Sequence, residues 1–266
     1  MPGRSSRPSA PRTPPVVRGF DRQADAYERG RPGYPAAAVR HLGRVLHLGP
    51  SRTVVDVGSG TGKFTRALAS LEAARVAVEP TRGMREVFER VVPDVPVLDG
   101  TAESIPLPDG FADAIVSAQA FHWFRVRPTL REFARVLRPG GGIGLVWNTR
   151  DDTVAWSARI SEISDRYHRK ERPRGRGHSG WKALFDRPGL PFGPLHRKDF
   201  SHAQVAPVET FVDRVISISS VAVQGPAERR KVAREVRKIL AEDPLTRGRR
   251  VVRLPMTTEV YWSYVK

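Results

Sequence analysis

Two carboxylates and a glycine loop frame the chemistry open to this chain. In VVDVGSGTGKFT (Val54 to Thr65), Gly58, Gly60 and Gly62 stand at alternate positions straight after a short apolar run. Asp56 lies just before them, and Glu79 closes the next apolar run, VAVEP. A phosphate-cradling loop needs G-x-x-x-x-G-K-[ST]. Here its first glycine would fall on Val57, and Phe64 replaces the hydroxyl that ligates magnesium. The dinucleotide spacing G-x-G-x-x-G is not met either, and Asp56 would repel a pyrophosphate. A carboxylate in that place suits a cationic or amine-bearing ligand. Further candidates flank the loop. In DAYERGRPGYP, Arg31 could grip a carboxylate with its fork, or sit in solvent at a helix end. In QAFHWF, His122 could take a proton from an acidic nucleophile, or only shape a pocket.

The elements that must position these residues follow from hydrophobic periodicity. Strand-like runs occupy 53–58, 75–79, 95–100, 112–118 and 143–148. Helical spacing lies between them, with Phe64, Leu68 and Leu71 on one face and Leu130, Phe133 and Leu137 on another. The second of these helices should stop at RPGGG, where Pro139 cannot continue it and Gly140 to Gly142 can turn the chain. Alternation of this kind predicts a parallel sheet with helices on both faces. Ligands of such sheets bind beyond the carboxyl ends of the strands, which places Gln119 to Phe124 beside any reacting centre. After Asn148 the pattern weakens. Residues 166–180 read as a polar loop, 196–205 as an edge strand and 227–241 as an amphipathic helix, and the last sixteen residues as strand-like apart from Pro255.

Taken in order, these motifs resemble class I S-adenosyl-L-methionine (SAM) dependent methyltransferases. VVDVGSGTG is similar to their first motif, Glu79 to the acid that takes both ribose hydroxyls, and EFARVLRPGGGIGLVWN to the helix, turn and fifth strand. AQAFHWF, LRPGG and VWNTRD resemble the small-molecule, trans-aconitate methyltransferase-like branch. The resemblance implies a Rossmann-like α/β sheet of five parallel strands, with antiparallel strands at the C-terminal end and a helical lid. It implies SAM as cofactor, held by Tyr27, Arg31, Asp56, Gly58, Gly60, Glu79, Thr101, Ala102 and Gln119, with Tyr27 and Arg31 reaching the methionine carboxylate. Many relatives carry Asp where this chain has Thr101. Its hydroxyl, with the Ala102 amide, would meet the adenine instead. Four regions are expected: a basic disordered tail over 1–18, cofactor-covering helices over 19–50, the SAM-binding core over 51–150, and a lid and substrate region over 151–266.

Composition narrows the class. The 266 residues contain no Cys, which excludes disulfides, thiolate metal sites and cysteine nucleophiles. No run approaches the ~18 apolar residues of a membrane span, so a cytoplasmic protein without membrane or metal partners is expected. The net charge of +17 could mark a nucleic-acid surface. Arg outnumbers Lys 38 to 7, however, which reads as an arginine-rich proteome, and the [DN]-P-P-[YF] motif of base N-methylation is absent. A small-molecule acceptor is therefore expected, with O-methylation ahead of N- or C-methylation. An RNA-directed enzyme and a catalytically silent binding partner are the alternatives.

Overall fold

The computed structural model describes residues 24–171, 180–185 and 189–266. The expected tail over 1–18 lies outside them. Helices α1 (Ala24–Gly30) and α2 (Ala36–Val45) precede the alternating region of β1 (Thr53–Val57), α3 (Lys63–Ala67), β2 (Ala74–Val78), α4 (Arg82–Val91), β3 (Val97–Leu98), β4 (Ala112–Ala118), α5 (Val126–Val136) and β5 (Leu137–Arg150). Next come α6 (Ala155–Glu171), β6 (His196–Pro207), α7 (Val208–Ile216), α8 (Ser219–Ala222), α9 (Pro226–Glu242) and β7 (Val251–Tyr264). The seven strands form one sheet in the order β3-β2-β1-β4-β5-β7-β6. The first five are parallel, and β7 is antiparallel to both β5 and β6.

Alternation along the central strands explains the two helical layers. Val54, Ala114 and Val146 join one buried cluster with Val39 and Leu42 of α2 and Phe64 of α3. Val55, Val57, Ile115, Ile143 and Leu145 point the other way, onto Leu130, Phe133 and Val136 of α5. A sheet buried on both faces leaves the strand ends as the free surface for ligands.

Two elements differ from the sequence expectation. Helix α5 ends at Val136, so Leu137 belongs to β5, where it pairs with Ala112. Gly142 then pairs with Ala114, so Arg138 to Gly141 bulge from the strand rather than forming a separate turn before it. The polar run from 166 does not begin a loop. Helix α6 carries on through Glu171, because Ile160, Ile163 and Tyr167 lie on one face and are buried. The rest of that run, 172–179, lies outside the described residues.

Strand β7 outruns its partner β5. Pairing to β5 covers Met256 to Tyr264, whereas pairing to β6 continues to Val251 opposite Pro207. The β6–β7 ribbon therefore projects past the carboxyl edge of the parallel strands. Its Ala206, Val252, Leu254 and Met256 pack with Trp156 and Ile160 of α6, Phe211 and Val215 of α7, and Val232, Val236 and Leu240 of α9. This second core stands beside the strand ends and delivers side chains over them.

Candidate active site

The glycine loop leaves β1 with each glycine at positive φ: 71° at Gly58, 57° at Gly60 and 82° at Gly62. The space around them separates their tasks. A Cβ at Gly62 would lie 2.7 Å from Phe88 and 2.6 Å from Val92, so this glycine lets the loop pack on α4. A Cβ at Gly60 would project into open space, its nearest neighbour being the Tyr27 ring at 4.0 Å. Gly60 is the point where a ligand can lie against backbone.

Two adjoining cavities open at this edge and share Tyr27, Gly58, Ala118 and Gln119. The first reaches Asp56, Ser59, Thr61 and Lys63 below, and Arg31, Asn148 and Arg214 above. The second reaches Gly60, Glu79, Thr81 and Met84, with Trp123 and Phe124 as an aromatic wall. A carboxylate thus lines each of the two adjoining cavities, Asp56 the first and Glu79 the second. Gln119 is at the junction, held in a left-handed conformation (φ 59°). Its amide donates to Val146 O at 2.8 Å, and its Nε2 donates to Asn148 O at 3.1 Å. Such backbone strain in a non-glycine residue is typical of functional sites.

The two carboxylates are held differently. Glu79 accepts from the Gly60 amide and the Thr81 amide, each at 2.9 Å, so its oxygens are oriented and each keeps a second lone pair. Burial pushes its pKa up, against those hydrogen bonds. Asp56 accepts from Thr65 Oγ1 at 2.6 Å through Oδ2, while its buried Oδ1 has no partner. Burial first of all, with Glu79 adding to it, raises Asp56 to about 7. A cation beside Oδ1 would satisfy both the atom and the charge.

Helix α1 is fastened to the loop by a residue the sequence reading passed over. Glu28 accepts from Thr61 Oγ1 at 2.5 Å, Arg66 Nη2 at 2.5 Å and Lys63 Nζ at 3.3 Å. Lys63, which gave the loop its false phosphate look, is part of this clamp. At its other end α1 touches α7, where Arg29 pairs with Asp213 at 2.7 Å and a Cβ on Gly30 would fall 2.3 Å from the Arg214 amide nitrogen. Tyr27 is thereby set over Gly60, and the Arg31 guanidinium lies 4.7 Å from the Tyr27 ring centre.

Of the residues expected at the site, Tyr27, Arg31, Asp56, Gly58, Gly60, Glu79 and Gln119 are brought together. Thr101 and Ala102 are not among the residues lining either cavity. Thr101 exchanges backbone hydrogen bonds with Ser104 in a tight turn, and Ala102 is buried in the main core. His122 lines neither cavity, and its Nδ1 accepts from the Trp147 indole at 3.4 Å. An indole can only donate, so a neutral His122 carries its proton on Nε2. The residues that sequence reasoning missed, Asn148 and Arg214 above all, come from the end of β5 and from α7. Asn148 stood inside the quoted VWN, but nothing local to α7 singles out one arginine among many.

Comparison with known proteins bears on the family and the fold. Residues 55–144 match the family model described as a methyltransferase domain. An uncharacterized methyltransferase of Mycobacterium tuberculosis is 37% identical over 242 residues, covering 90% of this chain and 92% of the relative. An uncharacterized methyltransferase-like protein of Schizosaccharomyces pombe is 34% identical over 238 residues, covering 89% and 91%. Among solved structures, one from Anaeromyxobacter dehalogenans, provisionally described as a type II methyltransferase, has a TM-score of 0.64 at 26% identity, covering 89% of this chain and 97% of that one. The Bacillus subtilis YcgJ protein shares the fold, with a TM-score of 0.55 at 21% identity over 86% of this chain and 98% of that one. With its sheet order, its glycine loop and relatives similar over nearly their full length, the chain belongs to the class I SAM-dependent methyltransferases.

Proposed function

We propose that this enzyme transfers a methyl group from SAM to a small-molecule acceptor, with an oxygen nucleophile favoured. The observation carrying this reading is the pair of adjoining cavities, one lined by Asp56 and the other by Glu79 and Gly60, whose Cβ position is open. Glu79 would accept from the ribose hydroxyls, and the free Oδ1 of Asp56 would take the ammonium of the aminoacyl part. Arg31 would meet its carboxylate. SAM, when bound, supplies a methyl group on a sulfonium, and the carbon–sulfur electron pair leaves with sulfur as the acceptor's lone pair forms the new bond.

The chain's task is then positioning. Holding both partners in line can supply several kcal/mol, of order 7 or more in favourable cases. Gln119, at the junction of the two cavities, lies where the methyl group would stand. Trp123 and Phe124 exclude water from the adenine side. His122 fits a packing role better than that of a base, since its acceptor nitrogen faces Trp147 and it lines neither cavity. An ionised acceptor oxygen needs no base in any case.

A small acceptor fits a site roofed by α1 and α7. Much of the basic charge is already paired, too. On α9, Arg237 makes two bonds to Glu209, at 2.8 and 2.6 Å, and Lys238 lies 3.8 Å from Glu242. The test is calorimetric titration of the protein with SAM and with its demethylated product S-adenosylhomocysteine. Binding of both at about micromolar Kd is expected. No binding of either would overturn the assignment of the groove.

A further inference from the structure

Three arginines converge where α1, α7 and the end of β5 meet. Arg214 is only 6% exposed, yet it lines the Asp56 cavity. Its Nη1 donates to Gln204 Oε1 at 2.5 Å, and Gln204 Nε2 donates to Gly30 O at 3.0 Å, so the guanidinium is fixed in place. Arg31 lines the same cavity with a buried Nε that has no hydrogen-bond partner. Arg150, the last residue of β5, has a buried Nη1 that also has none. Among the described residues no carboxylate lies within ion-pair distance of any of the three. Asp152 acts on Arg150 and Arg214 only at longer range, and its Oδ1 accepts from Ser157 at 3.0 Å and Ser161 at 2.8 Å.

This arrangement is costly for the empty protein. Burial, and then the positive charges of the neighbouring arginines, depress the pKa of Arg214; burial and Arg31 act in the same direction on Arg150, against Asp152. A buried cation without an ion-pair partner, as Arg214 is, destabilises a fold. The carboxylate of the cofactor brings one negative charge, too little for three guanidinium groups. Glu79 and Gly60 line one cavity, whereas Arg214 and Arg31 line the other together with Asn148 from the end of β5, and Arg150, two residues beyond Asn148, acts on both by its charge.

Building on the methyltransferase reading above, we infer that Arg214, with the positive charge of Arg150 beside it, holds an oxyanion of the methyl acceptor, a carboxylate or a phosphate ester, while Arg31 faces the cofactor carboxylate. The held group is an anchor and not the atom methylated, because its lone pairs are tied up in charge-assisted hydrogen bonds. The acceptor therefore carries a second functional group as its nucleophile.

The test titrates the protein saturated with S-adenosylhomocysteine with malonate and, separately, with inorganic phosphate, which distinguishes the two kinds of anchor. At least one should bind saturably. Arg214→Gln and Arg150→Gln should each weaken it by about 10-fold or more, while affinity for S-adenosylhomocysteine stays within about 3-fold of the parent. Arg31→Gln should show the reverse. Arg150→Gln, at the less buried of the two positions, carries the comparison should Arg214→Gln fail to fold. The inference is overturned if neither anion binds the loaded protein. It is overturned equally if Arg150→Gln and Arg214→Gln lose S-adenosylhomocysteine as Arg31→Gln does, which would assign all three arginines to the cofactor. Failure of the parent to bind S-adenosylhomocysteine at all would instead remove the underlying reading, and this one with it.

Discussion

The two halves of the site are built by opposite means. The glycine-loop half uses strand ends, backbone amides and two carboxylates, and its parts lie within a single β-α-β stretch from Asp56 to Thr81. The arginine half draws on the end of β5, on α1 and on α7, residues separated by up to 183 positions in the chain. A local motif can hold one invariant ligand. Recognition of a second ligand is assembled by tertiary packing, on a ribbon and helices that share a core of their own. The comparison makes a concrete claim: changes in the loop should affect the cofactor alone, whereas changes at Arg150 and Arg214 should leave the cofactor largely undisturbed.

Gly60→Val breaks the first half most completely. The residue adopts φ 57°, and its Cβ would enter the groove rather than the core. S-adenosylhomocysteine affinity should fall at least about 100-fold, ~2.7 kcal/mol, by calorimetry. The left-handed backbone costs Val roughly 1–2 kcal/mol of stability, so the variant should remain folded by circular dichroism. Near-normal affinity in a folded variant would mean that the ligand does not pass over Gly60.

Asp56→Asn comes next and carries a pH signature. Asp56 sits at about 7 when folded, against 3.8 for the ordinary side chain. Its favourable contribution to stability is therefore fully present below 3.8 and is lost as pH rises through about 7. Removing the charge should raise Tm at pH 8 and leave it nearly unchanged at pH 4. Affinity should move the other way, falling by about 10-fold at pH 8 because the ligand's ammonium loses its carboxylate. In the parent, binding should weaken as pH drops below about 7 and Asp56 takes up a proton; the variant should lack that dependence. A loss of both stability and affinity at pH 8 would place Asp56 in the scaffold only.

These two residues were legible in the sequence, and the reason is physical. A turn against a ligand demands glycine at fixed spacing, and the acids at the ends of β1 and β2 follow from the strand register, which pairs Asp56 with Ala77 and Val57 with Val78. The alternating strands were legible for the same cause. The two ribbon strands were legible as well, as the edge strand over 196–205 and the strand-like last sixteen residues, but their reach past β5 was not, because it is set by pairing between β6 and β7 across the α7–α9 insertion and not by local propensity. Glu28 was missed because its three partners lie more than thirty positions away. Glu28→Ala tests that clamp. It should loosen Tyr27 over Gly60 and weaken S-adenosylhomocysteine about 5-fold, with faster proteolysis near α1 in the unliganded protein and protection on adding ligand. Unchanged proteolysis and affinity would show that α1 is held by its contacts to α7 alone.

The smallest effect is expected at His122, and it separates two readings that the sequence left open. Trp147 Nε1 donates to His122 Nδ1, so the neutral ring must carry its proton on Nε2 and has no lone pair left there for a substrate proton. A long-range proton–nitrogen correlation spectrum at pH 8 should therefore show Nδ1 as the bare nitrogen of this ring. His122→Ala should leave S-adenosylhomocysteine affinity within about 2-fold, since the side chain lines neither cavity. Trp147→Phe sharpens the result. Without the indole donor the tautomers should mix, while the cofactor half of the site, lying on β1 and β2, stays as it was. Finding the proton on Nδ1 in the parent, with Nε2 free, would restore His122 as a general base and move part of the chemistry back to the β4 end that the groove otherwise leaves to positioning.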